Sequence, residues 1–313
     1  MELYIAGIGR YTSEINDYAG NISTLEEDSK RLMTRSLRRL SARLAAIFYV
    51  AMDRALSDFG QTNNIAFPVV AGTGISEVDA GYELVQQIYN SKGASISPTL
   101  VQNSVHNAPA GFISIGYNIT LPVITLAHSF LSWEACVDYS FNFLYDSPYE
   151  GIILIAGDQF LPEWIDKLNN LGIPELSNSL KNENLKEGAV AMVLTRAKPD
   201  KCYGTIHQGA VLHMPKPENL SRQFLNKYDI RITDKTRVIL RELCLGFLGG
   251  PDKVQNALGL SPEQIIYYPS SCGMSLATPF NLLINGQEEH MPGHYLLIAS
   301  EYNDLALVEL SME

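Results

Sequence analysis

The chain has 313 residues, with 23 lysines and arginines against 34 aspartates and glutamates, so its formal net charge is −11. Such an acidic chain argues against nucleic acid as a general partner, because binding to phosphates needs a basic surface. Hydrophobic residues make up 46% of the sequence, but no apolar run approaches the roughly 18 residues that suggest a membrane span.

Two further features of the composition limit the function. The four cysteines are widely spaced without a CxxC pair, so we expect neither a disulfide framework nor a metal site, and no motif indicates a cofactor. The start of the chain, MELYIAGIGRY, lacks the basic segment and cleavage site of a signal peptide. We therefore expect a cytoplasmic protein.

The chain is predicted to begin with a strand, Leu3–Ile8, followed by a polar loop to about Asp28. Leucines and other apolar residues then recur at helical spacing from residue 29, which predicts one long helix that ends at Gly60. Basic residues crowd the first half of this helix: Arg31, Arg35, Arg38, Arg39 and Arg43. They are either a solvated helix face or a docking patch for an acidic partner.

The next segment predicts a strand around Val69 and a helix from about Glu77 to Asn90. A second helical stretch covers Leu100–Ile115, and Pro109 inside it indicates a kink or a helix start.

A strand, a sharp turn and a helix follow each other from Val123 onward. Val123–Leu126 is a β-branched run typical of a fully buried strand, and a helix is predicted over Leu131–Leu144. Ala127, His128 and Ser129 lie at the turn. Nucleophile elbows are built this way, because backbone N–H groups at a helix N-terminus stabilise developing negative charge. Ser129 and His128 are therefore the candidate catalytic residues.

The remaining pattern predicts two strand–helix halves and hence a duplicated α/β fold, divided into residues 1–201 and a shorter half of residues 202–313. The other predicted strands are Ile152–Ala156, Gly188–Thr195, Tyr203–Val211, Ile265–Tyr268, Tyr295–Ser300 and Leu305–Leu310, the last two forming a hairpin. The other predicted helices are Glu163–Asn169, Leu220–Tyr228, Lys235–Phe247, Asp252–Leu258 and one that starts at about Pro279.

Several segments together resemble β-ketoacyl-acyl-carrier-protein synthases. They are RRLSARLAAIFYVAMDRAL, AGTGISEVDAGYELV, SPTLVQNSVHNAPAGFISI, GIILIAGDQ and EGAVAMVLT, in the order that this family has them. The similarity is greatest to short synthase-like and chain-length-factor-like subunits of polyketide and aryl-polyene pathways. It implies the thiolase-like fold, a layered αβαβα arrangement, and dimerisation through the strand that precedes the elbow.

The resemblance also implies a catalytic set that this chain lacks. Family members use an elbow cysteine and two histidines, and the elbow reads roughly Thr-Ala-Cys-x-Ser-Gly. Here the corresponding residues are 126–131, with Ser129 nearest the nucleophile position, and Cys272 takes the place of the first histidine. The second histidine has no counterpart, and residues 300–304 replace the terminal glycine-rich loop. A serine hydroxyl needs an aligned base to act as a nucleophile, so we expect no ordinary condensing activity.

Three hypotheses follow from the sequence. The first is a catalytically degenerate subunit of chain-length-factor type, paired with an active ketosynthase in biosynthesis of fatty-acid, polyketide or aryl-polyene type; a homodimer is the other possible pairing. The second is an acyltransferase or thioesterase of altered chemistry that uses Ser129. The third is a non-catalytic scaffold that binds acyl carrier protein through the basic residues between Arg31 and Arg43.

Overall fold

The computed structural model describes residues 1–14, 18–61, 65–159, 186–213, 220–241, 248–268, 292–301 and 303–313. The strands in this part of the chain are β1 (Leu3–Glu14), β2 (Val69–Gly72), β3 (Val123–Leu126), β4 (Gly151–Asp158), β5 (Lys186–Thr195), β6 (Gly204–His213), β7 (Thr236–Arg241), β8 (Ile265–Tyr268), β9 (Gly293–Glu301) and β10 (Asp304–Met312). The helices are α1 (Tyr18–Leu32), α2 (Arg35–Leu40), α3 (Arg43–Phe59), α4 (Val78–Ser91), α5 (Pro98–Asn103), α6 (Ala108–Gly116), α7 (Ser132–Tyr145), α8 (Arg222–Asn226) and α9 (Pro251–Leu258). None of these helices combines the length and the apolar character needed to cross a membrane.

The strands form a mixed sheet in which the second five strands repeat the arrangement of the first five. The order is β3-β2-β4-β5-β1 in the first half and β6-β10-β9-β7-β8 in the second, which is the same order read from the opposite edge. In each half the second strand is parallel to the third and the fourth, and the fifth is antiparallel to the first and the fourth. The halves join where Leu3 and Tyr4 pair with Ile206 and Thr205. The expected duplicated α/β fold is confirmed.

Helix α7 lies between the two halves. It contacts β2 and β4 on one side and β6 and β10 on the other. Its residues Trp133, Cys136 and Val137 share one buried cluster with Leu154 of β4 and Leu310 of β10. Helix α3 covers the opposite face of β1, β4 and β5, while α8 and α9 pack on the outer face of the second half. The layers therefore alternate as α, β, α, β, α.

The position of β4 between two hydrophobic clusters explains why its sequence is almost continuously apolar. Ile153 and Ile155 face the cluster beneath α3, whereas Ile152 and Leu154 face the cluster around α7. Every residue of the strand is buried. A strand that is covered on both faces has no position left for a solvated polar residue.

The predictions for the N-terminal region were wrong in two respects. The first strand continues to Glu14, and α1 occupies most of the expected polar loop. The single long helix is three helices. The side chain of Thr34 accepts the N–H of Leu37 and so begins α2, and extended backbone at Ser41 and Ala42 separates α2 from α3. Gly60 ends α3 in the left-handed conformation, as expected.

Two other predictions were also wrong. The segment 236–241 forms β7 rather than part of a helix, because its apolar residues pair in parallel with β8 and β9. β3 is half-exposed rather than fully buried, since among the described strands it pairs only with β2 and forms the edge of the sheet. In the stretch Leu100–Ile115, the helix start suggested by Pro109 is confirmed at α6.

The remaining predicted elements within the described residues are confirmed, with boundaries that differ by a few residues. The helices expected at Glu163–Asn169 and from Pro279 lie outside the described residues, as does Cys272. The division into residues 1–201 and 202–313 stays a prediction.

Candidate functional site

The turn between β3 and α7 has the strained geometry of a nucleophile elbow. Ser129 has φ +43°, a left-handed value that a residue with a Cβ adopts at a cost of roughly 1–2 kcal/mol. A 3-10 turn, Ser129–Leu131, leads directly into α7. The strain lies at the residue that the sequence placed nearest the nucleophile position, and Ser129 is exposed.

A buried hydroxyl holds this turn closed. The Oγ of Ser132 accepts the backbone N–H of His128 at 2.9 Å and donates to the carbonyl of Ser129 at 2.8 Å. Ser132 is the first residue of α7 and has no exposed surface. One side chain therefore bridges the residues on both sides of the bend, a role that the sequence analysis missed.

Two glycines at the end of β2 let the backbone approach the elbow. A Cβ on Gly74 would lie 2.6 Å from the carbonyl oxygen of Ser129. A Cβ on Gly72 would lie 2.7 Å from the Sγ of Cys136 and 2.9 Å from the carbonyl oxygen of Ser132. Neither position has room for a side chain, so glycine is required at both for this close packing.

The loop after β2 is anchored by Asp158 at the end of β4. Its Oδ1 accepts the hydroxyl of Thr73 at 2.6 Å and the backbone N–H groups of Gly74 and Ile75 at 2.9 and 3.0 Å. Asp158 is buried, and hydrogen bonds to a charged acceptor are among the stronger ones. The carboxylate thus fixes the loop that packs against Ser129.

A second buried carboxylate fixes the far end of this loop. Glu77 accepts the backbone N–H groups of Leu44 and Ala45, each at 2.9 Å, and so caps the start of α3. Burial raises the pKa of Glu77 to about 8, and the charges of Asp79 and Glu187 act in the same direction. The two backbone donors oppose this shift.

The imidazole of His128 contacts the C-terminal half through Asp304. The Nε2 of His128 lies 3.1 Å from Oδ2 of Asp304, and the Nδ1 of His213 lies 3.0 Å from Oδ1 of the same carboxylate. Asp304 begins β10 and pairs in register with His213 at the end of β6. The His128 and Asp304 side chains are 38% and 32% exposed, so solvent reaches both. Among the described residues, no group of His, Cys, Asp and Glu side chains could hold a metal ion.

Of the two cysteines that the structure describes, Cys136 lies in the helix that follows the elbow, and it is unable to serve as the nucleophile. Cys136 lies one turn into α7 and is completely buried in the central cluster. Burial raises the pKa of its thiol well above the ordinary value, so the reactive thiolate does not form near neutral pH. No described residue hydrogen-bonds the Ser129 hydroxyl either, so Ser129 lacks the aligned base that a serine nucleophile needs.

The basic residues singled out from the sequence fall into two groups. Arg43 is almost buried and binds both carboxylate oxygens of Glu187, so it takes no part in an exposed patch. Arg31 is exposed but binds Asp28 at 3.1 Å. Arg35 and Arg39 on α2 are exposed and form no ion pair with another described residue, and Arg38 beside them is partly buried. The exposed basic patch therefore consists of Arg31, Arg35 and Arg39, with Arg38 partly buried beside them.

An apolar surface lies beside the free edge of β3. Helix α6 contacts β3, and α5 connects α6 to α4. Large apolar side chains on these helices are exposed, with Tyr89 at 82%, Ile115 at 66% and Val85 at 63%. A groove of about 420 Å³ between Val101, Val105 and Ile115 opens on the same surface. We call these residues with β3 the edge face; clustered exposed apolar residues of this kind mark interaction sites.

The comparisons with known proteins agree with this architecture. The family model for the N-terminal domain of β-ketoacyl synthases matches residues 27–229. A structure described as the ishigamide ketosynthase/chain length factor has a TM-score of 0.72 at 11% identity, covering 100% of this chain and 99% of that chain. A β-ketoacyl synthase from Burkholderia phymatum STM815 has a TM-score of 0.72 at 10% identity, with the same coverage. No curated protein matches the sequence.

A third similar structure is a type II polyketide synthase acyl-carrier protein in complex with its hexaketide-bound ketosynthase. It has a TM-score of 0.69 at 13% identity and covers 100% of this chain and 99% of that chain. At such low identities the likeness concerns the fold, which is the thiolase-like fold expected from the sequence.

Proposed function

The chain belongs to the β-ketoacyl synthase family, and from that premise we propose that it is a non-condensing subunit of chain-length-factor type. It pairs with an active ketosynthase in biosynthesis of fatty-acid, polyketide or aryl-polyene type. The observation that carries the proposal is an intact elbow at which no described residue offers a usable thiol, next to a strand edge that pairs with no other described strand and has exposed apolar residues beside it.

The elbow supports the non-condensing part of the proposal. Condensation in this family begins with a cysteine thiolate, and Cys136, the described cysteine in the helix after the elbow, is buried in the core with a raised pKa. Ser129 has no described base on its hydroxyl, so an acyl-acceptor role for Ser129 has less support. The turn is nevertheless held by Ser132, Gly74 and Asp158, which preserves the shape of the site without its nucleophile.

The edge face supports the pairing. An unpaired strand edge is a template for another strand, and an antiparallel partner would extend the sheet across the interface. The exposed apolar residues of α4–α6 would be buried at the same time, which supplies the main driving force for association. The dimer arrangement that the family resemblance implies would place a related ketosynthase on this surface; a second copy of this chain is the competing occupant.

The basic patch on α1 and α2 supports binding of an acidic acyl carrier protein. The chain is acidic overall, and Arg35 and Arg39 are exposed without an ion pair to another described residue, so they give a local positive field. The test is charge reversal at Arg35 and Arg39, with Lys235→Glu, an exposed lysine in the second half, as the control. Carrier-protein affinity falls only in the arginine variants; unchanged affinity would leave the patch as a solvated helix face.

Coexpression tests the proposed function itself. We expect the ketosynthase encoded by the nearest gene to copurify with this chain. We also expect the condensing activity of that ketosynthase to require the complex. Condensation by this chain alone, with purified carrier-bound substrates, would refute the non-condensing assignment.

A further inference from the structure

One carboxylate at the elbow holds two imidazoles that come from different parts of the chain. Asp304 contacts His128 through Oδ2 and His213 through Oδ1, at 3.1 and 3.0 Å. His128 belongs to the elbow, His213 ends β6 and Asp304 begins β10. The three side chains are 38%, 70% and 32% exposed in that order, so water and a bound ligand reach them.

We infer that His128 and Asp304 form a general-base dyad that hydrolyses acyl thioesters at the elbow. A carboxylate only accepts hydrogen bonds, so the Nε2 of His128 must carry the proton that faces Asp304. The neutral imidazole then has Nδ1 as its proton acceptor. A histidine whose tautomer and orientation are fixed by a carboxylate is the form that abstracts a proton from water.

The reaction balances with water as the second reactant. The Nδ1 of His128 takes a proton from water while the water oxygen bonds to the thioester carbonyl carbon. The carbon–sulfur bond then breaks, its electron pair stays on sulfur, and the sulfur receives the proton from Nδ1. The products are a carboxylic acid and a thiol. Asp304 stabilises the transient imidazolium, as carboxylates do for catalytic histidines elsewhere.

The other members of the cluster have supporting roles. His213 binds the second oxygen of Asp304 and so fixes the plane of the carboxylate; it is a positioning residue. The N-terminus of α7 follows the turn immediately and favours the negative charge that develops on the carbonyl oxygen. Ser129 does not supply the nucleophile, because no described base contacts its hydroxyl.

The inference takes from the proposed function only that an acyl thioester reaches the elbow. A small soluble thioester, acetyl-N-acetylcysteamine, needs neither a carrier protein nor a ketosynthase. Failure of hydrolysis therefore leaves the pairing with a ketosynthase untouched, and failure of pairing leaves hydrolysis measurable on the isolated chain.

The test is release of free thiol from acetyl-N-acetylcysteamine by the purified full chain. The wild type is expected to exceed the uncatalysed rate. His128→Gln lowers kcat by about 100-fold, and Asp304→Asn by a factor of about 10 or more, with KM and Tm unchanged. His128→Ala regains turnover when imidazole is added, which a purely structural histidine would not do.

Two further variants separate the alternatives. His207→Asn is the control, because His207 also contacts a carboxylate, that of Glu2, but lies six residues before His213 in β6; its turnover stays at the wild-type level. Ser129→Ala tests the competing route, in which the Ser129 hydroxyl is acylated. The inference is overturned by a wild type no faster than buffer, by wild-type rates in His128→Gln or Asp304→Asn, by the absence of imidazole rescue, or by a covalent acyl adduct that Ser129→Ala abolishes.

Discussion

The residues that support the elbow and the residues at its turn differ in burial and in hydrogen bonding. The support consists of Ser132, Asp158, Glu77, Gly72 and Gly74, and its three polar side chains are buried and hydrogen-bonded. The turn consists of His128 and Ser129, which are partly or fully exposed, and neither is the elbow cysteine that the family uses for condensation. The shape of this site is therefore stabilised by residues other than those at the turn. Reactive residues are therefore replaced without loss of the shape.

The largest expected effect comes from removing the carboxylate of Asp158. Asp158→Ala leaves the Thr73 hydroxyl and two backbone N–H groups without their acceptor. We expect a loss of about 4 kcal/mol in the free energy of unfolding, because each buried unsatisfied group costs about 1–3 kcal/mol. Urea denaturation measures it. If Asp158→Ala lost less free energy of unfolding than Ser129→Ala, the supporting residues would contribute no more to stability than the residues at the turn.

The next effect is a pH dependence of stability caused by Glu77. Its pKa is raised by burial to about 8 in the folded state, above the ordinary value of 4.5. The folded state therefore binds a proton that the unfolded state has lost. This contribution to stability is fully present below about pH 4.5 and disappears as the pH rises through 8.

We expect the free energy of unfolding to fall by about 3 kcal/mol from pH 5 to pH 8 because of Glu77. In Glu77→Gln, which stays neutral, the fall over this range is smaller by that amount. Denaturation at several pH values checks this. If the free energy of unfolding changed equally with pH in the two proteins, Glu77 would be ionised in the folded state over this range.

A smaller effect is expected from filling the contact between β2 and α7. In Gly72→Ala the new Cβ meets the Cys136 sulfur and the Ser132 carbonyl, so the backbone must shift, at a cost of about 2 kcal/mol. Gly81→Ala in α4 is the matched control. A Cβ there meets nothing within 4 Å, and alanine stabilises a helix interior by about 0.5–1 kcal/mol. If the two substitutions changed the stability in the same direction, the close-packing argument would be refuted.

The smallest effect concerns the turn itself. Ser129→Gly relieves the left-handed strain and is expected to stabilise the protein by about 1 kcal/mol. Thermal unfolding measures the change, and Ser104→Gly, at an ordinary negative φ of −77°, is expected to destabilise instead. Destabilisation by both variants would mean that Ser129 contributes contacts that outweigh its strain.

Local patterns in the sequence identified most of the fold. The apolar run of β4, the amphipathic α4 and the stop at Gly60 each have a signal within a few residues. The run Val238-Ile239-Leu240 suits a helix or a buried strand equally well. It became β7 because β8 and β9 lie on either side of it, and no local pattern reports such neighbours.

The site was predictable only in part for the same reason. Strand, turn and helix signals placed Ser129 and His128 at an elbow, and the structure has the strained residue there. Asp158 contacts Thr73 across 85 residues, and Asp304 contacts His128 across 176. A sequence read without relatives gives no sign of such pairs. The sequence likewise does not distinguish the exposed arginines from Arg43, because it does not show that Glu187 binds Arg43.

Sedimentation of the chain together with the ketosynthase encoded by the nearest gene tests whether the two proteins pair through the edge face. Tyr89→Asp places a charge in the edge face, whereas Tyr145→Asp places the same charge at the end of α7, on a tyrosine that is 75% exposed against 82% for Tyr89. We predict a one-to-one complex that Tyr89→Asp dissociates and Tyr145→Asp leaves intact. A stable homodimer of the wild type that never binds the ketosynthase, or a complex indifferent to Tyr89→Asp, would contradict the account.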